Sequence, residues 1–356
     1  MKKFTVALAG NPNAGKTTIF NSLTGARQHV GNYPGVTVEK KEGRFVHGNK
    51  ELSIVDLPGT YSLTANSLEE RVARDYLMDE TPDVVVQVVD ASCLERNLFL
   101  AVQLLELEVN LVLCLNMMDI ALDKGLSIDS DHLSRLLGVP IVETVGSSAK
   151  GVDSLLLTIE EHLEGNPNDR TRIRYGRELG QDIEKLAVML ENSKRRSSQR
   201  APLSWLAIKL LEQDPLVRES VLRVFEDGEE IVSASDEACQ RLEELYGDPS
   251  DIIIADRRYG FISGACQEAV ELTIEERHRM SDRLDDILAH RALGIPIFLG
   301  VMYFIFWLTF TLGGPPMDLI ESFVQFFGNW VARFWPKASD SVVRSMLVDG
   351  VIGGVG

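Results

Sequence analysis

The segment Gly10-Asn11-Pro12-Asn13-Ala14-Gly15-Lys16-Thr17 constrains the fold more than any other stretch of the chain. It fits Gly-x4-Gly-Lys-Ser/Thr in full, directly after an apolar run at 4–9 and directly before a helical pattern at 16–24. A strand that breaks into a glycine-rich turn and reopens as a helix aims backbone N–H groups and a helix N-terminus at one point, which makes a cradle for a polyphosphate. Gly10 and Gly15 supply backbone angles and close approach that other residues resist. Lys16 is the candidate to neutralise phosphate charge, and the Thr17 hydroxyl is the candidate Mg²⁺ ligand. Asn13, Ala14 and Thr18 complete the cradle.

The surrounding pattern fits that start. Short apolar runs at 5–9, 52–56, 84–90, 111–116 and 141–144 alternate with helical patterns such as 16–24, 97–107 and 128–137. This rhythm predicts a mostly parallel sheet of the α/β class over residues 1–165, with ligands at the carboxyl ends of its strands. The opening residues carry an apolar stretch that ends at Gly10 with no cleavage site after it, and they read as a first strand rather than a signal peptide. The net charge of −17 argues against a nucleic-acid partner, which needs a basic surface. Four cysteines (Cys93, Cys114, Cys239 and Cys266) have no metal-binding or disulfide spacing and read as free thiols.

Further motifs sit at predicted strand ends. Asp56-Leu57-Pro58-Gly59 closes an apolar strand, where Asp56 reaches Mg²⁺ through water and the Gly59 N–H meets a γ-phosphate. Asn116-Met117-Met118-Asp119 follows another strand. A fixed carboxylate at Asp119 accepts from both the ring N–H and the exocyclic amine of guanine, a donor pair that adenine lacks. That narrows the ligand to GTP and GDP. Asn116 is placed to tie this loop to the phosphate loop. Met117 stands where a lysine stem usually covers the base, and its thioether and methylenes can cover the same surface. In the 145–151 loop, Ser148 and Ala149 are the candidates to cap the guanine O6 through a backbone N–H. Between the first two motifs, the glycine-rich stretch 31–38 contains Gly35 and Thr37. Thr37 is the candidate to meet Mg²⁺ and the γ-phosphate when GTP is bound. The position after Gly59 carries Thr60, then Tyr61, and neither is suited to activate water. Slow intrinsic turnover follows, unless the amide oxygens of Asn11 and Asn13 hold a monovalent cation that does the work of an arginine finger. Lys16, Thr37, Gly59 and Asn11 are thus the candidate catalytic set.

Beyond a linker at 166–176, residues 178–269 lose strand alternation and carry apolar residues at helical spacing. They predict a small all-α domain of four or five helices, ending near 270, without a chemical motif. Residues 271–294 read as a linker and juxtamembrane helix. The run 295–312 (IPIFLGVMYFIFWLTFTL) has no charge over eighteen residues and predicts a transmembrane helix. Arg283, His290 and Arg291 precede it, whereas Asp318 and Glu321 follow it, so residues 1 to about 290 are expected in the cytoplasm. The aromatic stretch 323–334, with its polar breaks, is a candidate interfacial helix, and the sequence leaves open whether it spans, lies on or leaves the membrane. Residues 351–356 are apolar and glycine-rich, so 295–356 reads as the start of a membrane domain belonging to a longer protein.

Taken together, GNPNAGKTT (10–18), GNYPGVTVEKKEG (31–43), DLPGTYSL (56–63), NMMD (116–119), ADRRYGFI (255–262) and DRLDDILAHRALGIPIF (282–298) resemble the N-terminal part of a FeoB-type ferrous iron transporter, over nearly the whole chain. The resemblance implies a GTP-hydrolysing module of a bacterial inner-membrane Fe²⁺ uptake system, with a helical domain that slows GDP release. It implies K⁺ stimulation through Asn11, and it makes Met117 ordinary. A small cytosolic accessory protein and a homo-oligomer are compatible partners, and Fe²⁺ belongs to the membrane part beyond residue 356. Two other readings stay open on the motifs alone: a soluble K⁺-dependent GTPase of RNA modification or ribosome assembly, and a GTP switch that transports nothing.

Overall fold

The computed structural model describes residues 2–25, 28–33, 36–47, 50–64, 67–163, 173–195, 201–272, 294–332 and 350. The chain forms two compact units, Met1–Ile274 and Glu275–Gly356.

In the first unit, seven strands make one sheet in the order β2-β3-β4-β1-β5-β6-β8. They are β1 (Lys2–Gly10), β2 (Gln28–Asn32), β3 (Glu39–His47), β4 (Lys50–Asp56), β5 (Val84–Asp90), β6 (Leu111–Asn116) and β8 (Ile141–Glu143). The pairs β4-β1, β1-β5, β5-β6 and β6-β8 are parallel, while β2-β3 and β3-β4 are antiparallel. The central strands are continuous apolar runs because both of their faces are covered. Val6, Leu8, Val86, Val88 and Cys114 pack against α1 (Lys16–Thr24) and α6 (Val152–His162) through Ile19, Phe20, Leu23, Leu155 and Ile159. Ala7, Ala9, Val85, Val89 and Leu115 face the other way, toward α2 (Leu68–Asp79) and α3 (Leu94–Glu106). Two short helices, α4 (Met118–Asp123) and α5 (Ser130–Leu137), fill the edge near β8. Helix α2 starts on a capping box, in which Ser67 accepts from the Glu70 N–H and the Glu70 side chain accepts from the Ser67 N–H.

The all-α expectation is met by five helices among the described residues: α7 (Arg177–Asn192), α8 (Leu203–Leu211), α9 (Pro215–Val224), α10 (Gly228–Tyr246) and α11 (Ser250–Ala269). Their core is continuous with the α2/α3 face of the sheet. Leu98, Leu104 and Leu107 belong to the same buried cluster as Trp205, Leu210, Ile254 and Ile262. A charged knot reinforces this seam. The Arg258 guanidinium donates to both carboxylate oxygens of Glu106, at 2.6 and 2.7 Å, and also to Glu212. Tyr175 donates to Glu106, and Lys209 pairs with Glu212 at 2.6 Å. A second tie joins Arg74 of α2 to Asp214 at 3.0 Å, and Asp214 also caps α9 by accepting from the Leu216 and Val217 N–H groups.

Two features differ from the sequence expectation. The helical part does not end without strands. β9 (Val270–Leu272) pairs antiparallel with β7 (Leu126–Ile128), and the Asp129 N–H donates to the Ala269 carbonyl at 2.8 Å. Three-residue strands carry too little alternation to be read from sequence. In the second unit, residues 323–332 of the candidate interfacial stretch continue the apolar run as one helix. A single helix, α12 (Gly294–Ala332), runs through Gly313-Gly314-Pro315-Pro316. Proline fixes φ near the helical value, and the two prolines remove two backbone N–H donors from the helix there. Residues 294–311 of α12 have a mean hydropathy of 1.8 and are unburied within the protein, long and apolar enough to cross a membrane. Of the linker at 166–176, residues 166–172 lie outside the described residues, as do 273–293 of the juxtamembrane stretch and 351–356.

Candidate functional site

The site is built at the carboxyl ends of β1, β4, β6 and β8. At the end of β1, Gly10 takes φ 154°, Asn13 φ 67° and Gly15 φ 86°. A Cβ on Gly10 would lie 2.5 Å from the Val88 carbonyl oxygen, and one on Gly15 would collide with the Asn116 amide nitrogen. Glycine is required at both places by space as well as by backbone angle. Ala14 is buried, while Asn13, Thr17 and Thr18 are exposed at the mouth of the loop and the start of α1.

The Asp56–Gly59 loop lies across this cradle. The Leu57 N–H donates to the Leu8 carbonyl at 2.9 Å and the Thr60 N–H to the Gly10 carbonyl at 3.1 Å. A Cβ on Gly59 would sit 3.3 Å from Pro12 Cα. The Lys16 ammonium is bound to the Asp56 carboxylate and to the Leu57 carbonyl at 2.5 Å. Both side chains are nearly buried, at 11% and 7% exposure, so the pair is desolvated.

Asn116 joins three segments, as its place in the sequence suggested. Its Nδ2 donates to the Ala14 carbonyl at 2.9 Å, and its Oδ1 accepts from the Gly146 N–H at 2.8 Å and from the Thr144 hydroxyl at 3.3 Å. Met117 takes a left-handed φ of 61° before α4, and a Cβ on Gly15 would stand 3.6 Å from its Cε. The thioether methyl therefore lies beside the phosphate loop. Asp119 is exposed on the first turn of α4.

In the 145–151 loop, the Ser148 N–H donates to the Val145 carbonyl at 3.1 Å and the Ala149 N–H to the Gly146 carbonyl at 3.3 Å, so both lie in a turn beyond β8. Gly146 is the residue that reaches Asn116, and a Cβ on it would crowd Asn116, Ile19 and Thr18 at 3.2–3.3 Å. The requirement for a residue without a side chain was the sequence signal for Gly146.

Asn11 is 3% exposed. Its Nδ2 donates to the Arg96 carbonyl at 3.5 Å, and its buried Oδ1 has no hydrogen-bond partner among the described residues. A buried amide oxygen without a donor is costly unless something else satisfies it. Arg96 itself stacks over Tyr61 at 4.4 Å, so the residues after Gly59 are attached to α3. Thr37 is exposed, and Gly35 lies outside the described residues. Tyr33, at the root of that loop, was not singled out in the sequence. It is buried, its hydroxyl donates to the Asp56 carbonyl at 3.3 Å, and burial pushes its phenol well above the ordinary value.

Comparison with known proteins places these features in one family. The profile described as "Ferrous iron transport protein B" matches residues 4–159, and that described as "FeoB cytosolic helical domain" matches residues 175–271. A Porphyromonas gingivalis Fe(2+) transport protein A/Fe(2+) transporter FeoB fusion protein is 43% identical over 361 residues, covering 99% of this chain and 42% of that protein. Among solved structures, the cytosolic domain of T. maritima FeoB in a GDP form superposes with a TM-score of 0.65 at 32% identity, covering 76% of this chain and 99% of that one. A GDP-bound variant of the S. thermophilus FeoB G-domain superposes with a TM-score of 0.68 at 39% identity, covering 76% and 100%. The chain spans about two fifths of the length of the curated relatives it matches.

Proposed function

The chain belongs to the FeoB family of ferrous iron transport proteins, and from that premise we propose that it binds and hydrolyses GTP as the cytosolic module of a bacterial inner-membrane Fe²⁺ uptake transporter. The observation that carries the nucleotide part is Asn116, which bonds the phosphate loop and the 144–146 segment at once and so holds Asp119 in fixed relation to the cradle. In this reading the polyphosphate lies on the N-terminus of α1 and takes over the Lys16 ammonium from Asp56. Asp56 is then free to face Mg²⁺ together with Thr17 and Thr37. Asp119 accepts from the two guanine donors, Met117 covers one face of the base, and the loop carrying Gly146 backs it. Mg²⁺ would supply charge neutralisation at the phosphates.

K⁺ fits at Asn11. Its Oδ1 is a buried neutral oxygen without a donor, and neutral oxygens suit a weakly charged monovalent ion. With Thr60 and Tyr61 in place of a water-orienting glutamine, that ion would supply the positive charge that an arginine finger gives elsewhere. The 165/166 and 270/271 domain limits, a cytoplasmic location of residues 1 to about 290, passage of α12 through the bilayer, an accessory protein and homo-oligomers belong to the same proposal. The continuous apolar surface of α12 speaks against the soluble RNA-associated alternative.

Turnover of GTP by the detergent-solubilised chain tests this reading. It is expected to rise severalfold when K⁺ replaces Na⁺. Asn11→Ala is expected to abolish the difference, and Asp119→Ala to weaken GDP binding at least a hundredfold. Equal rates in the two salts would remove the K⁺ assignment. Unchanged GDP binding by Asp119→Ala would remove the guanine assignment.

A further inference from the structure

Thr37 and Asp56 are assigned above to one metal site, yet they come from different parts of the sheet. Asp56 ends β4, near the sheet centre. Thr37 lies in the turn that joins β2 to β3, and β2 is the edge strand. β2 is bonded on one side only, to β3, so the position of Thr37 relative to Asp56 depends on what else ties the turn to the sheet.

We propose that Tyr33 is the positioning residue that fixes the Thr37 turn against Asp56 and so sets the geometry of the γ-phosphate and Mg²⁺ side of the site. The proposal rests on the GTP reading given above. Tyr33 follows the last residue of β2. Its backbone N–H donates to the Val38 carbonyl at 2.9 Å and its carbonyl accepts from the Val36 N–H at 3.3 Å, so it closes the root of the turn that contains Thr37. Its side chain then reaches past β3 to the end of β4, where its hydroxyl donates to the Asp56 carbonyl at 3.3 Å. The acceptor belongs to the same residue whose carboxylate is bound to Lys16. The ring meets Tyr76 of α2 edge-on, with centroids 6.0 Å apart and planes at 80°. One side chain thus contacts the edge turn, the strand end carrying Asp56 and the helix that follows the Asp56–Gly59 loop.

A core-filling tyrosine would account for the ring but not for the hydroxyl. A phenol 6% exposed and bonded to a main-chain carbonyl is specific in direction, and a phenylalanine would fill the same volume without it.

Tyr33→Phe in the full chain, in detergent, separates the two roles. Dissociation of mant-GMPPNP and of mant-GDP would be followed across a Mg²⁺ titration, together with the melting temperature. GDP has no γ-phosphate for Thr37 to reach, so its dissociation is expected to change less than twofold, and the melting temperature to hold within a few degrees. Release of mant-GMPPNP is expected to accelerate about fivefold, the worth of one hydrogen bond. The Mg²⁺ concentration needed for half-maximal retention should rise in parallel. Equal acceleration for both nucleotides, or for neither, would overturn the proposal and leave Tyr33 a packing residue. A wild-type chain that retains neither nucleotide would instead overturn the GTP reading, and this inference with it.

Discussion

Arg258→Met tests the seam between the sheet and the helices most sharply. Arg258 is 1% exposed and satisfies Glu106 with two bonds and Glu212 with a third. Burial alone would raise the Glu212 carboxyl. The charges of Arg258 and Lys209 overcome that effect and hold it below the ordinary range. Methionine fills much of the arginine volume but carries no charge. Glu212 would keep Lys209, whereas Glu106, with its side chain 2% exposed, would keep only the Tyr175 hydroxyl. Leaving one buried partner uncompensated costs about 3–5 kcal/mol. For a folded unit of this size that corresponds to a fall of about 6–20 °C in melting temperature. The assay is thermal unfolding of the full chain in detergent, followed by far-UV circular dichroism at pH 7. Adding Glu106→Leu should recover at least half of the loss, since an apolar pair replaces an orphaned charge. A loss below about 1 kcal/mol, or a double variant as unstable as Arg258→Met, would refute the assignment of this knot as a buried, mutually compensating network.

Two further outcomes follow from the backbone and the thiols. Gly15→Ala places a methyl group on the Asn116 amide at a left-handed φ, and mant-GDP titration should show binding weakened at least about tenfold. Gly25→Ala, also at positive φ but with open space around it, should leave that binding unchanged. Burial pushes the Cys114 and Cys266 thiols up to about 12 and raises Cys239 as well, whereas Cys93 is exposed. An aromatic disulfide reagent at pH 8 should therefore label one thiol per folded chain and four after denaturation. Fast labelling of a second thiol in the folded chain would contradict the packing around these residues.

The motifs were legible because each demands a residue type that little else tolerates. Gly10 and Gly15 answer to φ and to contact distance, and Asn116 needs one donor and one acceptor in opposite directions. The central strands were legible because burial on both faces leaves a plain apolar run such as Val84–Asp90. β3 was hidden because its residues, EKKEGRFVH, carry charge out to solvent near the sheet edge. The bond from the Gly146 N–H to Asn116 was hidden because it depends on which backbone donor turns toward that side chain, a matter of backbone geometry. Arg258 shows the same limit. Arg257 beside it lies partly exposed over the Tyr246 ring at 5.4 Å, while Arg258 is buried against Glu106, and the two letters are identical in the sequence. Helix α11 is buried along much of its length, so its apolar pattern did not say which arginine turns inward.

These attachments also bear on which parts of the first unit are free to respond to a nucleotide. Separating the helical part from the sheet would unpair Arg258 and Arg74, break the β7–β9 ladder and open a continuous apolar cluster. Unpairing either buried arginine costs several kcal/mol, against a total stability of about 5–15 kcal/mol for an ordinary domain. Rigid separation is therefore not an accessible response to one bound ligand. The loops that carry Thr37, Asp56 and Gly59 are attached differently. Beside the Lys16–Asp56 pair, single bonds such as Leu57 to Leu8 and Thr60 to Gly10 hold the Asp56–Gly59 loop, each worth about 1 kcal/mol. A γ-phosphate replaces bonds of that size one for one. Nucleotide is therefore expected to move these loops and α2, which Arg74 connects to Asp214 at the cap of α9, rather than the seam. The seam that makes the unit rigid also gives the loop change a defined place at which to arrive.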